Sequence, residues 1–288
     1  MVDIRQTLQY ANYLSSLGWT VERIDGVNYF VRKLPLIGSI LKIQRPEKID
    51  FDTIDKLCLK YRVFQVILEP NLTSIVESTS DHNLLLHHGF KLSKSPYLPS
   101  RTLQIDLTQS QKEIEKGFMR NIRTGIRRGK TFPIKSYSTP QELETFHNSW
   151  KKSVKLTRFV PPLIDLINLR KSFPDNYSLF LASHNISGRI IGGVIFTRCL
   201  HESVNYVYGF MSKEGRTSLT HASLLYQGIL WGKKMNCKIF DFEGIYDDRF
   251  PNKSWLGFSR FKKSFGGTEV LYPGCYTKLS LLNNLGQI

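Results

Sequence analysis

The sequence predicts an α/β protein made of two successive α/β units. Short runs of alternating apolar and polar residues interleave with longer runs of helical spacing, and that order restarts once, after Arg101–Leu107. A length of 288 residues with 41% hydrophobic side chains suits two domains or one large one, with ordinary cores.

Gln6–Leu17 reads as a short helix that ends near Gly18. Asn28–Lys33 and Ile40–Gln44 are predicted strands around the turn Leu34-Pro-Leu-Ile-Gly38. Phe51–Tyr61 is a helix and Val63–Glu69 a strand. Leu84–His88 continues a helix that stops at Gly89, and Arg101–Leu107 is the next strand. A basic helix then precedes the strand Ile134–Ser136. Pro140–Lys155 and Leu163–Ser172 are helical. Leu179–His184, Arg189–Cys199 and Val204–Tyr208 form a meander. Leu219–Met235 is a long helix, closed by Lys233-Lys234 and Asn236, and Lys238–Phe242 is a strand. Two α/β units with antiparallel meanders predict a tandem acetyltransferase-like (GNAT) architecture.

Charge is the strongest compositional signal. A net charge of +16 and a pI near 9.7 imply an anionic partner, such as nucleic acid, a phosphorylated ligand or an anionic membrane surface. Between Lys112 and Lys135, eight basic residues face two acids, Glu113 and Glu115. Arg120, Arg123, Arg127 and Lys130 fall on one helical stripe, and Ile114, Phe118, Ile122 and Ile126 on a neighbouring face that packs inward. Ser110 with Glu113 forms a capping-box pattern at the start of this helix. Aligned cations without interleaved acids repel one another, which favours phosphate contact over a merely solvated face.

No apolar run reaches the length needed to span a bilayer, and Met1–Gln6 lacks a signal-peptide core, so a cytoplasmic protein is expected. Cys58, Cys199, Cys237 and Cys275 are scattered among apolar residues and read as reduced core thiols. No His/Cys array has metal-ligand spacing, so no metal is expected. There is no GxSxG pattern and no cysteine in a reactive motif.

Phe240-Asp-Phe-Glu-Gly-Ile reads as a strand running into a loop, and Arg260-Phe-Lys-Lys-Ser-Phe-Gly-Gly follows it. A lysine held among aromatics is partly desolvated, and its charge stabilises a developing oxyanion strongly. The alternative is a surface helix with solvated lysines. Spacing alone leaves both open.

These segments resemble the FemABX family, non-ribosomal peptidyltransferases that add amino acids from aminoacyl-tRNA to the peptidoglycan stem peptide. The resemblance rests on Asp241-Phe242-x-Gly244 with Phe261-Lys262-x-x-Phe265-Gly266. It extends to Arg101–Thr108 followed by Arg120-Asn-Ile-Arg123, and to Tyr206-Val-Tyr-Gly209 with Arg216 and Leu224-Leu225. Gln44-Arg45-Pro46 stands where many members have Arg-Gly-Pro. The matches run in order along nearly the whole chain. They imply two GNAT-like domains, the first over 1–107 with 271–288 returning to it, the second over 108–270. With no heptad-patterned insertion, the helical-hairpin arm of many members is not expected.

The resemblance implies transfer from aminoacyl-tRNA to a muropeptide amine, lipid-linked or UDP-linked, without a cofactor, by a monomer that touches the inner membrane surface. Lys262 is the implied catalytic residue, with Phe261 beside it and Lys263 as a possible substitute. Asp106 either orients the amine or caps the next helix. Arg45, and Lys33 on its charge alone, are candidates for the precursor pyrophosphate. Arg216 is a candidate for a phosphate or carboxylate, or an ordinary loop arginine. Tyr206 and Tyr208 share one sheet face, cleft or core. Ser212–Thr220 lacks the glycine-rich turn that wraps the pyrophosphate of coenzyme A, which disfavours the alternative of a coenzyme A-dependent N-acyltransferase. A non-catalytic RNA- or membrane-binding protein is the other alternative.

Overall fold

The computed structural model describes residues 2–71, 82–154 and 158–279. Lys155 and residues 280–288, included in the expectations above, lie outside them. The chain divides into two compact units: residues 2–101, 246–253 and 270–279, and residues 102–245 and 254–269.

The first unit carries helices α1 (Leu8–Ser16), α2 (Phe51–Tyr61) and α3 (82–87). Its strands are β1 (Thr20–Ile24), β2 (Val27–Leu34), β3 (Gly38–Gln44), β4 (Val63–Glu69), β5 (Lys91–Leu92) and β13 (Tyr276–Leu279). They form one sheet in the order β1-β2-β3-β4-β13-β5. Among the described residues only β3 and β4 run parallel in it, because the helix α2 crosses over between them. Val31, Leu41, Val66 and Leu68 build its core against Ile54 and Leu57 of α2.

The second unit carries a seven-stranded sheet in the order β12-β6-β11-β10-β9-β8-β7. Its strands are β6 (Arg101–Asp106), β7 (Ile134–Ser136), β8 (Ser178–His184), β9 (Ile190–Cys199), β10 (Ser203–Met211), β11 (Ile239–Asp241) and β12 (Thr268–Leu271). β6 pairs antiparallel with β11, so the strand expected to close the first domain belongs to the second sheet. A long-range pairing of this kind leaves no mark in the strand's own pattern.

The helices of this unit are α4 (Gln111–Gly117), α5 (Arg120–Gly129), α6 (Pro140–Ser153), α7 (Leu163–Ser172), α8 (Lys213–Thr217), α9 (Thr220–Lys234) and α10 (Leu256–Lys263). All ten residues of β9 are buried, as its continuous apolar run requires when both sheet faces are covered. Phe146 of α6 packs at Gly193 of β9, and Phe196 of β9 packs at Gly228 of α9. The Ser110–Glu113 capping box is present. The expected single basic helix is two, however. It breaks at Phe118, whose backbone is extended, and Met119 N–H donates instead to the Ser264 carbonyl at 2.8 Å. Gly125 then lets α5 approach α9 so closely that a Cβ there would stand 2.7 Å from that of Ala222.

Candidate active site

β10 and β11 run parallel and pair only over Ser203–Asn205 and Ile239–Asp241. Beyond Asn205 β10 continues alone beside β9, with a bulge between Tyr206 and Tyr208. A cleft of about 880 Å³ lies beyond the carboxyl ends of this pair, inside the second unit. Tyr206 to Met211 line it, with Glu243 after β11, and with Phe258, Phe261 and Lys262 of α10. Trp150, stacked on Phe210 with centroids 5.4 Å apart, closes an aromatic wall.

Lys262 is 8% exposed. Its ammonium donates to the carbonyls of Phe242 and Gly244, each at 2.7 Å, and lies 5.0 Å from the Phe258 ring centroid and 5.5 Å from that of Tyr206. An ammonium has three protons, so two are held and one remains for a ligand. Burial pulls its pKa down from 10.5 to about 8, against the opposing charges of Asp241 and Glu243. The group therefore stays a cation near neutral pH, in surroundings where its charge acts strongly.

The imidazole and phenol beside it are neutral. Burial, with Lys262 adding to it, pushes His221 down from 6.5 to about 4, and burial pushes the Tyr206 phenol well up. His221 Nε2 and the Tyr206 hydroxyl are hydrogen-bonded at 3.0 Å, and the His221 ring stacks on Phe261 with centroids 4.8 Å apart. Gly209 is needed for this arrangement. A Cβ there would collide with the Tyr206 hydroxyl, which accounts for the Tyr-x-x-Gly spacing.

No family model and no curated protein matches the sequence. Solved structures do. FemX superposes with a TM-score of 0.81 at 16% identity, over 96% of this chain and 92% of that chain. The chain has the FemX fold. The C-terminal domain of a putative lysylphosphatidylglycerol synthetase from Agrobacterium fabrum follows at a TM-score of 0.63 and 10% identity, over 96% of this chain and 89% of that one. A tandem GNAT protein from the clavulanic acid biosynthesis pathway matches at 0.50 and 8% identity, over 88% of this chain and 82% of that one. The FemABX-type, tandem acetyltransferase-like fold expected from the motifs is thus the fold observed.

Within this FemX fold, the residues singled out in the sequence separate into groups. Lys262, Phe261, Tyr206, Tyr208 and Arg216 meet in the cleft. Lys263 does not line it and pairs with Glu269 at 2.5 Å. Arg216 is exposed in α8 and donates to the Met211 carbonyl at 2.7 Å. Arg120, Arg123, Arg127 and Lys130 are all exposed, and Asn121 and Ile122 of the same helix α5 line the cleft. Arg120 and Arg123 stand in the first turn of α5, where the helix dipole disfavours cations and no acid compensates.

Two expectations need correction. Asp106 is exposed and accepts from the Thr108 amide and hydroxyl at 2.8 and 2.6 Å, so it closes its own turn, and Ser110 caps α4 instead. Asp106 is also not among the residues lining the cleft. Arg45 is 3% exposed, donates to the Pro70 and Pro99 carbonyls at 2.8 and 2.7 Å, and lies 3.5 Å from the Tyr272 ring centroid. It is a structural arginine of the first unit, not an accessible pyrophosphate ligand. Its φ of 54° explains why the resembling motif has glycine at this position. Lys33 is exposed on β2, opposite Ser39, and its selection by charge gains no support from its neighbours.

Sequence reasoning missed His221, Asn121, Trp150, Phe258 and the carboxylate of Glu243, all of which line the cleft. Glu243 stood in the quoted motif, but at its variable position. Asn121 stood in the quoted Arg-Asn-Ile-Arg run without a role, and the other three belong to helices that only the tertiary fold brings to the cleft.

Proposed function

We propose that the chain is an aminoacyltransferase that moves an amino acid from aminoacyl-tRNA to a primary amine of a peptidoglycan-precursor stem peptide. The observation that carries this reading is the Lys262 ammonium, buried at an aromatic-walled cleft and held by two carbonyls in the loop after β11. Attack of an amine on an ester carbonyl creates an oxyanion, and a desolvated cation fixed beforehand stabilises it without reorganisation. One such donor contributes roughly a hundredfold or more to turnover. Lys262 fills this role, with Phe261 and Tyr206 as the walls that keep it dry. The acyl group needs no covalent enzyme intermediate, because positioning and electrostatics suffice.

The exposed stripe Arg120, Arg123, Arg127 and Lys130 spans about 15 Å of helix axis and suits the phosphates of the tRNA donor. Arg216, at the cleft, takes a phosphate or carboxylate of either substrate. The acceptor is a muropeptide precursor, lipid-linked or UDP-linked, met on the cytoplasmic side at or near the anionic membrane surface. No helix among the described residues is long and apolar enough to cross a membrane.

Coenzyme A is disfavoured as donor. The loop after β10 is wound into α8, where the Gly215 amide donates to the Ser212 hydroxyl and the amides of Arg216, Ser218 and Leu219 donate to carbonyls of the same segment. Those donors are not directed at a pyrophosphate. Gly215 is there because β9 lies against it, and a Cβ would strike the Ile191 carbonyl. Mass spectrometry of a muropeptide acceptor tests the reading. An added aminoacyl mass that requires charged tRNA is the expected result, and an added acetyl mass from acetyl-coenzyme A alone would overturn it.

A further inference from the structure

The loop that carries Lys262's two carbonyl partners is built around Glu243. Phe242 and Gly244, whose carbonyls hold the ammonium, are its immediate neighbours. Glu243 has φ 53°, a left-handed backbone that costs a side-chain-bearing residue about 1 kcal/mol or more. Its amide donates to Asp241 at 2.7 Å, and Asp241 also receives the Thr102 hydroxyl and the Gln104 amide at 2.5 and 2.8 Å. The Asn205 amide donates to one Glu243 carboxylate oxygen at 2.7 Å and fixes the side chain. Glycine would adopt this backbone without strain, so a side-chain-bearing residue stands here at a conformational cost.

The cleft gives that side chain a task. Lys262, Arg216 and Arg158 also line it, and Glu243 is its only acidic residue among those described. A ligand that arrives as an ammonium meets three cations and one carboxylate. We propose that Glu243 is the binding site for the primary ammonium group of the acceptor and takes its proton as the amide forms. This deepens the aminoacyl-transfer reading and rests on it.

The step balances as follows. The ammonium gives one proton to the Glu243 carboxylate, which passes it to solvent. The freed nitrogen lone pair forms the C–N bond, and the carbonyl π pair moves onto oxygen beside Lys262. The second nitrogen proton passes to water, and a water proton goes to the ribose oxygen as the ester C–O bond breaks. Ammonium and ester become amide, alcohol and one released proton. Asp241 of β11, Tyr206 and Tyr208 of β10, Lys262 of α10, His221 of α9, Arg216 of α8 and Arg158 are the ionisable groups around this path.

The test compares two nucleophiles with one donor, charged tRNA. One is the muropeptide amine, an ammonium at pH 7. The other is hydroxylamine, already uncharged there. Glu243→Gln keeps an oxygen for Asn205. It should lower transfer to the muropeptide amine at pH 7 about a hundredfold, the usual share of a general base. That rate should recover in proportion to hydroxide between pH 7 and 8, while transfer to hydroxylamine is unchanged. A wild-type rate on the muropeptide amine would overturn the assignment and leave the transfer reading intact. So would an equal loss on both nucleophiles. Wild-type protein that uses neither nucleophile would overturn the transfer reading and this role together. Should the glutamine variant not fold, Glu243→Asp replaces it. It retains a carboxylate and should keep the wild-type pH profile at a lower rate. A hydroxide-dependent profile in that variant would overturn the proposal.

Discussion

The Lys262 ammonium donates to the Phe242 carbonyl at 2.7 Å, and so ties helix α10 to the end of strand β11. With a second bond to the Gly244 carbonyl, that contact fixes a cation beside Tyr206 of β10, just past the end of β11. It also orients α10 so that Phe261 faces His221 and Lys263 faces Glu269.

Because burial holds the Lys262 pKa near 8, the ammonium is the dominant form below that pH and is lost above it. Transfer to hydroxylamine, whose own amine does not titrate in this range, should therefore fall as pH rises beyond about 8. A rate that stays level well above pH 8 would mean that the charge on Lys262 is not used.

His221 predicts an acid-labile fold. Its pKa in the folded protein, about 4, lies below its ordinary value of 6.5. Between those values the unfolded chain binds more protons, so stability falls as pH falls through this window. The loss is on the order of 2 kcal/mol, allowing for a ring that is partly accessible. Urea unfolding at pH 7 and near pH 4 should register it in the wild type and not in His221→Phe. An equal acid loss in that variant would assign the effect elsewhere.

Gly209→Ala should displace the Tyr206 hydroxyl and break its bond to His221, with a cost of about 1–3 kcal/mol in stability. Tyr206→Phe in the same chain removes the atom that the new methyl strikes, so the double variant should regain part of the loss. Thermal melts of the two single variants and the double decide this, and strict additivity would contradict the packing argument.

The sequence made some of this legible for local reasons. The capping box at Ser110 and Glu113 is a signal contained within four residues, and it formed. Ile114, Phe118 and Ile122 are buried as their spacing requires, although the helix breaks between them, because both helical pieces rest on one core. What was illegible is set by distant partners. β6 joins the second sheet through β11, more than a hundred residues away. Arg45 is consumed by the Pro70 and Pro99 carbonyls and the Tyr272 ring. β1 (Thr20–Ile24) lacks a clean alternation, and it pairs on one side only, with β2. His221 becomes a neutral, half-buried imidazole only when Phe261, forty residues later, stacks on it. Glu243 stands at the variable position of the motif that drew attention to its neighbours.

Replacing Arg120, Arg123 and Arg127 with Gln should weaken tRNA binding and flatten its salt dependence. Each lost phosphate contact reduces the slope of log K against log salt by somewhat less than one, so the total change is about 2 to 3. The three side chains are exposed and the replacement leaves the core residue Ile122 in place, so the fold should be unaffected. An unchanged slope would show that the stripe faces another anion, such as the membrane surface.

The most direct measurement is single-turnover transfer from charged tRNA to a muropeptide amine by Lys262→Met and Lys263→Met, side by side. Lys262 lines the cleft and Lys263 is paired outside it with Glu269. The account predicts a loss of roughly a hundredfold for Lys262→Met, with the fold intact, and a nearly normal rate for Lys263→Met. Near-normal transfer by Lys262→Met, or a loss carried by Lys263→Met instead, would contradict it.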